Sequence, residues 1–153
     1  MSLNATTGTI LFAHGSRDPQ WRLPFEGILK KMQVLSSSPT SLAFLECMAP
    51  TLEQAIDDMV SAGIKQITVV PVFLAVGSHV RKDLPLLLEA ARLKHPEVTL
   101  QATAAIGEQP AIQDAIAAFA LGASLALAGV GVIVSVQVLN VRPCPRTILL
   151  LKG

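Results

Sequence analysis

Four short apolar runs, each followed by a stretch long enough for a helix, limit what this chain can fold into more than any other feature. They fall at residues 9–13 (TILFA), 42–46 (LAFLE), 66–74 (QITVVPVFL) and 98–104 (VTLQATA). No two consecutive runs lie close enough to form a hairpin, so the strands must run parallel, with helices crossing between them. Strands covered on both faces read as unbroken apolar runs, as these do. The sequence thus predicts an α/β fold in the order β-α-β-α-β-α-β-α. Its centre is an open parallel four-stranded sheet with helices on both faces, a flavodoxin-like sandwich that binds ligands outside the carboxyl ends of its strands.

Helix boundaries are also written in the chain. Asp18 before Pro19 marks a start, with the helix reaching about residue 35 and Pro24 making its first turn irregular. Thr51 and Gln54 form a capping box for a helix that stops at Gly63. A third helix is expected over 80–94, closed by Pro96, and a fourth over 108–121. Pro71, inside the third run, predicts a bulge or the end of regular pairing.

Composition then narrows the class. The 153 residues suffice for one domain with a substantial core. Only 15% are charged and the net charge is +1, which excludes a disordered chain and a nucleic-acid-binding arm. Cys47 and Cys144 make neither a disulfide framework nor a zinc spacing, and neither has a neighbour that would activate a thiolate. A reduced, cytoplasmic setting is expected, and MSLNATTG at the amino terminus has no signal-peptide pattern.

The chain is expected to divide into an α/β domain over 1–121 and a Val-rich tail over 122–153. Every acidic residue lies at or before Asp114, whereas the tail carries only the bases Arg142, Arg146 and Lys152. The 27 residues 115–141 are uncharged and long enough to span a bilayer. Gly122, Gly129, Gly131, Gln137 and Asn140 interrupt them, and valines at 130, 132, 134, 136 and 138 alternate at the period of a strand. The tail therefore reads as an added strand or oligomer contact, with no membrane partner.

Chemistry-bearing residues gather where the first three strands end. His14-Gly15-Ser16-Arg17-Asp18-Pro19 follows the first run, Glu46 closes the second, and Gly77-Ser78-His79-Val80-Arg81-Lys82-Asp83 follows the third. His14, Glu46 and His79 are 32 and 33 residues apart, one β-α unit each time, so a parallel sheet delivers all three to one rim. Two imidazoles and a carboxylate suit a mid-to-late first-row divalent metal with open positions. Taken singly, a loop histidine is more often a hydrogen-bonding residue, and Glu46 could serve only to complement the next helix dipole. Arg17, Arg22, Arg81 and Lys82 carry the unfavourable sign for helix starts, a cost a site for carboxylates or phosphates would justify. Gly15, Gly77 and Ser78 permit close backbone approach of an anion. Neither nucleotide-binding glycine fingerprint is present, so no nucleotide is expected. Phe12, Leu74 and Val76 supply an apolar rim, and His95, before Pro96, reads as a surface residue favouring a helix C-terminus.

The stretches LFAHGSRDP (11–19), FLECMAPTLEQAI (44–56) and VVPVFLAVGSHVRKDLP (69–85) resemble the small sirohydrochlorin cobaltochelatases of the CbiX type, within the class II tetrapyrrole chelatases. The resemblance covers residues 9 to about 121 and is most specific in Gly77, His79, Asp83 and Pro85. It implies a chelatase-like domain in which His14 and His79 bind the incoming metal, with Glu46, followed by Pro50, as ligand or base. It further implies ATP-independent insertion of Co2+ into sirohydrochlorin on the route to cobalamin, by a lyase that works as a homodimer. Arg17, Ser16, Gly77, Ser78, Arg81 and Lys82 would then hold the carboxylates of the substrate. The residues leave three alternatives open: Fe2+ or Ni2+ as the metal, for sirohaem or a nickel tetrapyrrole; a carrier or sensor that binds Co2+ or Ni2+ without inserting it; and a module whose HGSR loop holds an anion.

Overall fold

The structure, a computed structural model, describes residues 6–127, and within that span all side chains except those of Ser78, His79 and residues 123–127. The expected valine strand at 130–138, the rest of the tail and Cys144 lie outside the described residues. The chain forms β1 (Thr7–Ala13), a 3-10 turn (Pro19–Arg22), α1 (Leu23–Leu35), β2 (Thr40–Phe44), α2 (Leu52–Ser61), β3 (Gln66–Pro71), α3 (Ser78–Lys94), β4 (Thr99–Ala102), a second 3-10 turn (Ile106–Glu108) and α4 (Pro110–Leu127). All four strands are parallel, in the order β2-β1-β3-β4. The order reverses between β1 and β3, which opens a crevice at their carboxyl ends. A first compact unit ends at Gln113 and holds the four described strands; most of α4 belongs to a second unit, beginning at Asp114.

Alternation along β1 feeds two cores. Ile10 and Phe12 are fully buried on one face, among Ile56 and Met59 of α2 and Leu88 and Ala91 of α3. Leu11 and Ala13 point to the other face, where Phe25, Leu29 and Met32 of α1 pack over them. Burying a ring such as that of Phe12 contributes about 2–3 kcal/mol. It also corrects the expectation that Phe12 borders the site, since a residue in the middle of a doubly covered sheet has no open side.

Several boundaries shift. Asp18 does accept the amide proton of Gln20 at 2.9 Å, but it caps a 3-10 turn, and α1 proper begins only at Leu23, with Pro24 in its first turn. The capping box at Thr51 and Gln54 is formed as expected, and Gly63 follows α2 at φ 88°. β3 ends at Pro71, which has no amide proton to continue the ladder. β2 ends at Phe44, two residues before Glu46. α4 continues through Gly122 to Leu127, past the end expected at residue 121. Among the described residues, no helix is long and apolar enough to cross a membrane.

Candidate functional site

His14 is the first residue after β1 and Glu46 the second after β2, and backbone bonds hold the two exits together. Leu45 and Glu46 donate their amide protons to the carbonyls of Ala13 and His14, at 2.9 and 3.0 Å. Gly15 makes this approach possible: at φ 91° it is in the left-handed region, and a Cβ there would lie 1.9 Å from the Glu46 carbonyl oxygen. Glu46 is thus placed by a close crossing of two loops. Strand pairing has already ended at that point, contrary to the expectation that Glu46 closes the strand.

The side chains follow from that backbone. His14 Nδ1 lies 3.6 Å from Glu46 Oε1, and both groups are more than half exposed. The ring of Phe73, just beyond β3, stands perpendicular to the His14 ring at 6.2 Å between centroids and meets Phe12 edge-on at 5.8 Å. Phe73 is buried, so it fixes one side of an imidazole that is itself half exposed. His14 and Glu46 line a cavity of about 520 Å³, together with Leu45, Val80 and Asp83.

α3 brings the third strand's loop to the same cavity. Gly77 is its extended N-cap, and His79 lies in the first turn, next to Val80 and one turn before Asp83. The expectation that the His79 imidazole meets that of His14 concerns a side chain outside those described. Among the described residues, no three His, Cys, Asp or Glu side chains form a metal-binding group; His14 and Glu46 offer two donors.

The basic residues divide. Arg17 and Lys82 are exposed beside the two loops. Ser16 Oγ accepts the amide proton of Asp18 at 3.1 Å, a local turn contact. Arg22 belongs elsewhere: it pairs with Glu26 at 2.7 Å and lies over the Phe44 ring, on the α1 side of the sheet. Arg81 faces a neighbouring cavity of about 320 Å³, where it pairs with Glu108. Of the apolar rim, Val76 lines that second cavity and Leu74 is exposed.

His95 was expected at the surface and is instead mostly buried at the end of α3, donating from Nε2 to Asp57 Oδ1 at 2.7 Å. Lys94 bridges Asp57 and Glu53 at 2.7 and 2.8 Å, so the two residues clamp α3 to α2. The bond from Lys94, then that from His95, holds the Asp57 carboxyl below the usual carboxylate range. Sequence reading missed Phe73 as the support of His14. The only signal was an aromatic residue two places after Pro71.

Comparison with known proteins points to a family of this fold. A family model described as CbiX matches residues 8–120. A sirohydrochlorin cobaltochelatase of Saccharolobus solfataricus is 37% identical over 83 residues, covering 53% of this chain and 62% of that protein. The chain thus aligns with less than two thirds of that relative's length. Among solved structures, a cobalamin (vitamin B12) biosynthesis CbiX protein from Marinobacter aquaeolei is 34% identical with a TM-score of 0.69, covering 77% of this chain and 97% of that one. SirB from Bacillus subtilis, solved with Fe3+, is 25% identical with a TM-score of 0.64, and the match covers 73% of this chain but 45% of SirB.

Proposed function

The chain belongs to the CbiX family, and from that membership we propose that it inserts Co2+ into sirohydrochlorin without ATP, as a step towards cobalamin. The observation that carries this reading is the His14–Glu46 pair, 3.6 Å apart and open to a cavity at the crevice between β1 and β3. Sirohydrochlorin cobaltochelatase is the name of the relative from Saccharolobus, and it is brought to this chain as a proposal.

The metal is a substrate in this reaction. His14 and His79 receive it through neutral imidazole nitrogens, with Glu46 as a third donor or as the base. A macrocycle with two pyrrolic N–H groups gives up two protons as the divalent ion enters, and the groups beside the cavity carry them away. The half-exposed imidazole, which among the described residues meets Phe73 and Glu46, is suited to that exchange because neither contact shields it from the cavity. Arg17 and Lys82, with Ser16, Gly77 and Ser78 in the same loops, hold the peripheral carboxylates of the substrate. The protein works as a cytoplasmic homodimer with sirohydrochlorin as its small-molecule partner, and without nucleotide, nucleic acid or membrane.

Insertion under anaerobic conditions, followed by visible absorption, tests the reading with Co2+, Fe2+ and Ni2+ supplied in turn. The expected result is catalysed insertion that is fastest with Co2+ and needs no ATP. Fastest insertion of Fe2+ would move the assignment to sirohaem. Metal binding with no change in the rate of insertion would leave a carrier.

A further inference from the structure

The second cavity lies beside the first, with Val80 as a wall common to both. Its lining includes the apolar Pro71, Val76 and Leu84, and there Arg81 Nη2 faces Glu108 Oε1 at 3.8 Å. That distance is too long for a hydrogen bond, and both side chains are half exposed or more, so each is weakly held by the other. Thr103 also lines the cavity, but its hydroxyl already donates to the Ala104 carbonyl at 2.8 Å. Arg81 is therefore the one cationic donor among the described lining residues.

Glu108 is held opposite Arg81 by the backbone. Gly107 donates its amide proton to the Phe73 carbonyl at 3.0 Å, and a Cβ at Gly107 would lie 1.9 Å from the Leu74 carbonyl oxygen. The 3-10 turn that carries Glu108 is thus pressed against the exit of β3, and only glycine fits at the contact.

We propose that this second cavity receives a carboxylate-bearing edge of the substrate, with Arg81 as its cation and Glu108 as the resident carboxylate that the substrate displaces. The inference rests on the reading of the substrate as sirohydrochlorin, whose ring over the His14 cavity reaches the second cavity across Val80. A carboxylate arm can meet the guanidinium with two short, parallel hydrogen bonds, a geometry the 3.8 Å pair with Glu108 lacks. Glu108 then sets selectivity. It competes for Arg81, so a ligand without a carboxylate at that edge gains nothing by displacing it.

The test is a metal-free absorbance titration of sirohydrochlorin into the full chain, with thermal melts to confirm folding. Glu108→Gln should tighten binding about two- to fivefold, in line with the modest strength of an exposed pair. Glu108→Ala should do the same if the glutamine is poorly tolerated. Arg81→Ala should weaken binding about fivefold or more, and adding Glu108→Gln to it should have no further effect. Unchanged or weaker binding by a folded Glu108→Gln protein would make the pair a structural brace and overturn the proposal. Tightening that persists without Arg81 would reduce the effect to general charge and overturn it as well. If the unaltered protein binds no sirohydrochlorin, the functional reading itself fails, a result distinct from either of these.

Discussion

Two of the pairings of histidine with carboxylate among the described residues differ in almost everything except the groups involved. At the carboxyl edge of the sheet, His14 and Glu46 are 3.6 Å apart, more than half exposed, and open to a cavity. At the end of α3 that leads into β4, His95 and Asp57 are 2.7 Å apart, with the imidazole 16% exposed and Lys94 on the same carboxylate. The second pair is short, shielded and braced by a further donor, so its groups are already satisfied. The first is long and exposed, with Phe73 as its aromatic support among the described residues, which leaves bonding capacity for something else. Residue type alone does not separate a clamp from a site; the unmet part of the coordination does.

The contrast breaks most decisively under substitution of the site histidines. His14→Ala and His79→Ala should each lower the catalytic efficiency of insertion by about 10²-fold or more, the upper range for loss of a group that holds the metal or its support. The double variant should be little worse than either alone, as expected of two groups proposed to share one metal. Losses that multiply independently, or near-normal rates in either single variant, would refute the shared site. His95→Ala is the matched control, expected to insert at close to the normal rate.

The clamp should show itself in stability. His95→Ala removes a shielded bond to a charged group and should cost about 1 kcal/mol, lowering Tm by roughly 2–4 °C. Asp57 sharpens the comparison through pH. Its carboxyl is held below the usual range, so its contribution is full above the unfolded value near about 3.9 and fades as pH falls through the lower folded value. Lys94 has the opposite sign: raised by the bonds to Asp57 and then Glu53, its contribution is full below the unfolded value and is lost as pH rises through the folded one. Chemical denaturation of Asp57→Asn should therefore give a protein less stable at neutral pH, with the deficit closing in strong acid. A deficit independent of pH would mean that packing, and not the charge, accounts for the clamp.

The smallest effect is expected at the exposed bases. Arg17→Ala and Lys82→Ala together should raise the KM for sirohydrochlorin about two- to tenfold at low salt. Most of the difference should disappear at high ionic strength, where exposed charges are screened within a few ångströms. Salt-independent kinetics would make both residues ordinary helix-start charges.

What the sequence made legible was whatever repeats along it. The period of the apolar runs dictates parallel strands, and parallel strands with short exits dictate that residues 14, 46 and 79 share an edge. The capping box at Thr51 and the break at Pro71 are equally local, and both appear where expected. The misreadings of His95, Phe12 and Arg22 depend on contacts between distant segments, whereas the start of α1 and the end of α4 shift locally. His95 finds Asp57 38 residues away, so its burial had no local mark. Phe12 sits in an apolar run either of whose faces could have been open, and only the packing of α2 and α3 covers it. Arg22 and Arg17 lie in the same stretch, yet the 3-10 turn between them sends Arg22 to Phe44, on the other side of the sheet.

Phe73 has a consequence for anyone who would retune this protein. Around the His14 cavity, His14, Glu46 and Asp83 are exposed and can be exchanged without touching the buried cores, whereas Val80 belongs to one of them. Phe73 is tied in as well: it is buried with Phe12 in the core and stands against the His14 ring. A library that varies Glu46, Arg17 and Lys82 can explore metal and substrate preference while leaving folding largely alone. One that varies Phe73 changes scaffold and chemistry at once, and its survivors will have been selected first for packing.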